Sequence, residues 1–122
     1  MEVPIESILM LLHAVTGCKR FRLMKLLELL EQLRREGFKV PESRCLSYVL
    51  PFMELAGLTR LVDASSEKVL ELCDLASIYR IGRVLDDPLM KLIDRETYLA
   101  FQRLKNHVQE RREELCRELC HS

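Results

Sequence analysis

Residues 40–72 decide the fold and read VPESRCLSYVLPFMELAGLTRLVDASSEKVLEL. Pro41 suits the first turn of a helix, where its missing N–H is no loss, and Gly57 can end that helix in the left-handed conformation that glycine adopts most readily. Two β-prone runs follow, and the polar residues 64–67 between them are typical of a hairpin loop. The stretch therefore predicts a helix over residues 41–56 and then a β-hairpin.

Apolar residues recur at helical spacings in the chain before this stretch. Residues 4–15 carry a wide apolar surface, which predicts a largely buried first helix. Leucines in residues 23–36 lie three and four apart, which predicts an amphipathic second helix that Gly37 ends. Residues 19–22 between them are either a short strand or a connector. The turn between the second and third helices contains a glycine and has the length found in helix-turn-helix units.

The chain after the hairpin is also predicted to be helical. Residues 75–85 form one helix, and a final helix runs from Pro88 to about Leu119, with Asp94 as the place for a break. Roughly 30 helical residues extend about 45 Å, more than the width of a small domain. We expect this helix to pair with its copy in a homodimer, while the alternative is that it folds back on its own domain. The side chains predicted for the dimer seam are Phe101, Leu104, Val108, Leu115 and Leu119.

Composition limits the class of protein. The 122 residues are 48% hydrophobic and 31% charged, which indicates a compact and mostly helical chain. The 19 basic and 19 acidic residues cancel, and this weighs against a coat protein of nucleic acid, which is normally basic. The longest apolar run is far shorter than the roughly 20 residues that cross a bilayer. Glu2 and Glu6 do not fit a signal peptide, so we expect a cytoplasmic protein with no membrane association.

Five cysteines are present, without a C-x-x-C pair or the spacing of a zinc site, so we expect no metal. Cys45 and Cys73 are predicted to be small buried hydrophobes. Cys116 and Cys120 lie four residues apart on one predicted helical face. Three alternatives remain for them: a redox or metal site, two partly exposed thiols, or a cross-link between subunits. Intracellular disulfides are common only in some hyperthermophiles.

Motifs of catalysis are missing from the sequence. It has no glycine-rich phosphate loop, no H-E-x-x-H and no G-x-S-x-G. The three histidines, His13, His107 and His121, are widely spread. We therefore expect a protein that is not an enzyme and that has neither a cofactor nor a small-molecule substrate.

Residues 5–73 resemble the winged helix-turn-helix superfamily. The resemblance rests on the order of elements, on SRCLSYVL at residues 43–50 with Met53 beyond it, and on the Gly57-Leu58 pair before the hairpin. It implies a recognition helix whose apolar positions pack on the preceding helix.

The fold class expected from this resemblance is mainly α with a small β-hairpin. A winged helix-turn-helix domain would occupy residues 1–74, and a helical extension for dimerisation would occupy residues 75–122.

Two functions fit this architecture. The first is binding of double-stranded DNA by a homodimeric transcriptional regulator, through an exposed polar face of the third helix and cations on phosphates. The second is a protein-interaction module that uses the Pro51-Phe52 surface and a wing in which Asp63 and Glu67 offset the cations. Net neutrality favours the second function and the polar face favours the first. The residues predicted to contact DNA are Lys19, Arg20, Arg22, Lys39, Ser43, Arg44, Ser47, Tyr48, Arg60 and Lys68.

Overall fold

The computed structural model describes residues 2–121 and shows a mainly helical chain with a small antiparallel sheet. The coarse fold prediction, mainly α with a β-hairpin, is confirmed. Residues 20–22, which could have been a strand or a connector, form a strand. The elements are α1 Ile5–Thr16, β1 Arg20–Arg22, α2 Leu23–Arg35, α3 Leu46–Leu55, β2 Thr59–Ala64, β3 Glu67–Leu72, α4 Leu75–Gly82, α5 Pro88–Ile93, α6 Arg95–Glu110 and α7 Arg112–Leu119, with single 3-10 turns at Ser43–Cys45 and Arg83–Asp86.

The sheet has the strand order β1-β3-β2, and both pairs are antiparallel. Ser65 and Ser66 connect β2 to β3 with φ values of 53° and 65°. Two positive φ angles in a two-residue loop are typical of the type I′ turn, whose twist matches that of the strands. One face of the sheet places Leu61 beside Leu70, and the opposite face places Arg60 beside Glu71. One face therefore packs on the helices while the other carries charge.

The third helix begins later than predicted. The chain is extended through Glu42, turns once in 3-10 geometry and becomes α-helical only at Leu46. Arg34 on α2 explains this shift, because its guanidinium donates to the Val40 carbonyl at 2.7 Å and lies 3.7 Å from the Glu42 carboxylate. These contacts stabilise the extended backbone at residues 40–42.

The predicted end of α3 at Gly57 is confirmed. Gly57 has a φ of 76°, and its N–H donates to the Glu54 carbonyl at 2.9 Å. The Leu58 N–H donates to the Met53 carbonyl at 2.9 Å. This pair of bonds is the Schellman arrangement, which satisfies carbonyls at a helix end and reverses the chain. It delivers the backbone directly into β2.

The prediction of one long final helix is wrong, although the break expected near Asp94 is present. The segment divides into α5, α6 and α7, with breaks at Asp94 and Arg111. Asp94 caps α6, since its carboxylate accepts from the Thr97 N–H at 3.2 Å and from the Thr97 hydroxyl at 2.6 Å. The breaks let α6 and α7 fold over α1 instead of projecting into solvent.

The five side chains assigned to a dimer seam lie in the core of their own chain. Each is at most 2% exposed, so the assignment is corrected in favour of the alternative in which the helix folds back. The residues are Phe101, Leu104, Val108, Leu115 and Leu119.

One hydrophobic core joins side chains from both predicted segments, 1–74 and 75–122. Helix α1 packs against α4, α6 and α7 and contributes Ile8, Leu9 and Leu12 to this core. It approaches α4 closely at Gly82, whose carbonyl accepts from the buried Ser7 hydroxyl at 2.7 Å. The resulting body supports α2, α3 and the hairpin on one side.

Within residues 2–121, no helix combines the length and the apolar character needed to cross a bilayer.

Candidate functional site

The outward face of α3 is apolar. Tyr48, Phe52 and Leu55 are 74%, 72% and 86% exposed, although each carries a large hydrophobic group. Their spacing of four and then three residues places them on one side of the helix. The resemblance implied that the apolar positions of this helix pack inward. Leu46, Leu50 and Met53 are buried, but Leu55 is not.

A groove adjoins this face, between α2, α3 and the β2–β3 hairpin. Its volume is about 320 Å³, within the range of sites that hold organic ligands or anchoring side chains. Most of its lining is aliphatic, because α2 and α3 each turn leucines toward the hairpin. The lining residues are Leu23, Leu27, Leu46, Ser47, Leu50, Pro51, Glu54, Thr59, Arg60, Leu61 and Leu70.

Some polar groups along the groove already have partners in the chain, while the buried Thr59 hydroxyl, which also lines it, has none among the described residues. The Leu61 N–H, on the free edge of β2, donates to the Glu54 carboxylate at 3.2 Å. The Arg60 guanidinium donates to the Glu71 carboxylate at 2.8 Å on the outer face of the sheet. Glu54 makes no ion pair within the described part of the chain, so it is the open charge at the groove.

The cations predicted for phosphate contact are mostly neutralised. Within the sheet, Arg20 and Arg60 share the Glu71 carboxylate, at 3.2 and 2.8 Å, and Arg22 lies 2.8 Å from Glu67. The remaining pairs are Lys68 with Asp63 at 2.8 Å and Arg44 with Glu42 at 2.6 Å.

Lys19 and Lys39 make no ion pair among residues 2–121. They lie in separate loops, before β1 and between α2 and α3. Five of the seven predicted cations are therefore paired with carboxylates, and two are not.

The predicted polar face of α3 is only partly available. The Ser43 hydroxyl donates to the Glu31 carboxylate, and the Ser47 hydroxyl donates to the Arg44 carbonyl at 2.7 Å. Arg44 itself is 81% exposed on its side chain, and Tyr48 projects beside it. Of the four side chains on this face that were predicted to contact DNA, Ser43 and Ser47 therefore already donate their hydroxyl protons within the chain.

A histidine–tyrosine pair links α1 to α4. The His13 Nδ1 and the Tyr79 hydroxyl are 2.7 Å apart. Burial, with the charge of Lys19 adding to it, lowers the pKa of His13, and burial raises the pKa of Tyr79. Both shifts favour the neutral forms, so the pair acts as an interhelical hydrogen bond.

Cysteine placement differs from expectation. Cys18 and Cys120, 102 residues apart in sequence, form a disulfide within the chain, and Cys116 is a half-buried free thiol. Cys73 is exposed, so its prediction as a buried hydrophobe is wrong, and Cys45 is only partly buried. The role of Cys18 was missed because spacing along a chain does not reveal a partner so far away. The described residues contain no group of three side chains placed to hold a metal.

A second apolar surface lies on α5. Leu89, Leu92 and Ile93 are 62%, 83% and 78% exposed and lie at the spacings that share one helix face. They lie in the segment that was predicted to be the final helix, and they remain outside the core.

No protein-family model, curated protein or solved structure matches this chain.

Proposed function

We propose that this chain is a winged-helix protein-interaction module that binds an amphipathic helix of a partner protein. The order α1, β1, α2, α3, β2, β3 and the Gly57 turn into the hairpin support the winged-helix assignment. The observation that carries the function is the apolar outward face of Tyr48, Phe52 and Leu55, together with the leucine-lined groove, whose lining includes the adjacent Pro51. A helix that reads DNA carries polar and cationic groups on this face.

Electrostatics favour a protein partner. Binding to duplex DNA draws most of its free energy from cations that displace condensed counterions. Here Arg20, Arg22, Arg44, Arg60 and Lys68 each lie beside a carboxylate, whose negative charge would oppose a phosphate at the same cation. The charged face of the sheet therefore sets two glutamates, Glu67 and Glu71, against its three arginines, which leaves little positive charge for phosphates.

The shape and charge of the groove indicate the kind of partner. A groove between helices, lined by leucine, fits the apolar anchors of an amphipathic helix. Addition of a β-strand to the edge of β2 is less suited, because Glu54 already occupies the outward N–H of Leu61. Glu54 is also the open carboxylate at the groove, so the bound helix should carry a lysine or arginine beside its apolar residues.

Binding of duplex DNA, as in a transcriptional regulator, is the second candidate function. It is favoured by Arg44, which projects from the start of α3 beside the exposed Tyr48 ring. Lys19 and Lys39 would add phosphate contacts in this function.

A selection from a displayed library of amphipathic helical peptides tests the first function. Selected peptides should lose at least tenfold in affinity for Phe52→Glu, because a carboxylate at that position opposes burial of an apolar anchor. The matched control is Leu92→Glu, which changes an equally exposed residue on α5 and should leave affinity unaltered.

Two outcomes contradict the proposal. Peptides that bind Phe52→Glu as tightly as the unmodified chain would place the site elsewhere. Failure to select any peptide, together with low-salt binding of mixed-sequence duplex that Arg44→Ala weakens, would establish the DNA function instead.

A further inference from the structure

Three of the five cysteines converge where α1 ends. The sulfur of Cys18, disulfide-bonded to Cys120, lies 3.7 Å from the carbonyl oxygen of Thr16. The Cys116 thiol lies 3.9 Å from the same oxygen. A free thiol and a disulfide therefore approach a single backbone atom from α7 and from the α1–β1 loop.

Local structure explains the convergence. Gly17, with a φ of 76°, ends α1 and turns the chain so that Cys18 lies beneath the last turn of the helix. Carbonyls in a last helical turn lack intrahelical partners and accept other donors, and the Thr16 oxygen is one of them. Cys116 lies on α7, and Cys120 directly follows the last residue of this helix, Leu119, so the two cysteines stay close to each other.

The end of α7 is held against β1 by backbone contacts. Cys120 forms an isolated β-bridge with Phe21, and the His121 N–H donates to the Arg20 carbonyl at 3.0 Å. These contacts keep Cys120 near Cys18 while α7 keeps Cys116 one turn away. One possible partner of Cys18 is thus held on α7 and the other directly after it.

We propose that Cys18, Cys116 and Cys120 form a thiol–disulfide exchange site. Cys116 loses its proton to water, and its thiolate attacks the sulfur of Cys18. A Cys18–Cys116 bond forms, the Cys18–Cys120 bond breaks, and its electron pair leaves on Cys120, which then takes up a proton. The number of disulfides is unchanged, so the exchange consumes neither oxidant nor reductant.

The exchange has a structural consequence and an entry point. It moves the covalent cross-link one helical turn toward the centre of the chain and leaves residues 120 and 121 attached to β1 by backbone contacts alone. Cys116 also lines an open depression at the junction of α6 and α7, beside Arg112 and Arg117. A low-molecular-weight thiol or disulfide can reach the site from this depression.

Disulfide mapping by mass spectrometry tests the proposal. The full chain is equilibrated in a glutathione redox buffer. Exchange is then stopped with acid, the free thiols are alkylated, and the chain is digested and mapped. In Cys120→Ser, the proposal requires a Cys18–Cys116 disulfide. In the control Cys116→Ser, only Cys18–Cys120 should form, and Cys45 should remain alkylated in both variants.

The unmodified chain supplies a second measurement that does not depend on the folding of either variant. Above pH 8, where more thiolate is present, a fraction of molecules should carry alkylated Cys120 and a Cys18–Cys116 bond. Alkylation of Cys116 and never of Cys120, at every pH, would refute the exchange. So would free Cys18 and Cys116 in Cys120→Ser under conditions that oxidise the unmodified chain, or the absence of any disulfide in the unmodified chain.

Discussion

Removal of the Cys18–Cys120 disulfide should lower the free energy of unfolding more than any single surface change. The cross-link joins residues 102 apart, so it closes nearly the whole chain into a loop. In the chain-entropy model, a loop of about 100 residues restricts the unfolded ensemble by about 4.7 kcal/mol at 25 °C. The native packing around the sulfur atoms should change little, because Leu115 and Leu119 stay buried on α7. We therefore expect Cys18→Ala to destabilise the fold by about 4 kcal/mol.

Urea unfolding followed by far-UV circular dichroism measures this change. With a slope of about 1.5 kcal/mol/M, the midpoint of Cys18→Ala should fall by about 3 M relative to the oxidised chain. Reduction of the unmodified chain should give the same fall, and reduction of Cys18→Ala should add nothing. Cys116→Ser, which keeps the cross-link, is the matched control. A loss below about 1 kcal/mol would refute the entropic argument.

Three further predictions concern packing, pH and assembly. Gly82→Ala should destabilise by about 1–3 kcal/mol, because the added Cβ would lie 2.9 Å from the backbone oxygen of Glu6; an unchanged thermal midpoint would contradict this close approach. The hydrogen bonds from Thr97 hold the pKa of Asp94 below its ordinary value of 3.8, so its stabilising contribution is present above about pH 4 and is lost as the pH falls through the lowered pKa. The stability of Asp94→Asn measured against pH should lack that loss at low pH. A profile identical to that of the unmodified chain would refute the contribution of Asp94. Leu104→Ala should cost about 2–5 kcal/mol without changing the mass measured by light scattering, because Leu104 is buried in the core of its own chain; a change in that mass would contradict this placement.

The in-chain disulfide also bears on location. Disulfides persist in oxidising compartments and are rare in reducing ones, apart from redox-active pairs and the proteins of hyperthermophiles. The cytoplasmic location stays a prediction, and the redox state of Cys18 and Cys120 in cell extracts alkylated at lysis would test it.

Much of the fold could be predicted because its signals are local. The period of three and four in α1 and α2 reports an apolar face whatever that face contacts, and Gly57 reports a backbone conformation that other residues rarely adopt. The hairpin followed from two β-prone runs around a polar turn. These features depend on residues within about one or two helical turns of one another, and residues that are close in sequence are also close in space.

The candidate site could be predicted only in part. Tyr48, Pro51 and Phe52 were correctly assigned to an exposed surface. The pairing of Arg60 and Arg20 with Glu71 could not be predicted from the sequence, because it depends on β1 and β2 both lying beside β3. The sequence shows how many cations there are, but which carboxylates they pair with depends on that register.

The helices before the hairpin, the hairpin itself and the end of α3 follow from short-range spacing and backbone preference, so they can be read from the order of residues. Where the apolar stripe of the last segment is buried depends on how the helices pack. The amphipathic pattern of α6 and α7 is equally compatible with a second copy and with the chain's own core, and the breaks at Asp94 and Arg111 direct it onto α1. The partner of Cys18 and the apolar groove beside α3 were decided in the same way, because contacts between residues distant in sequence arise only when the elements pack.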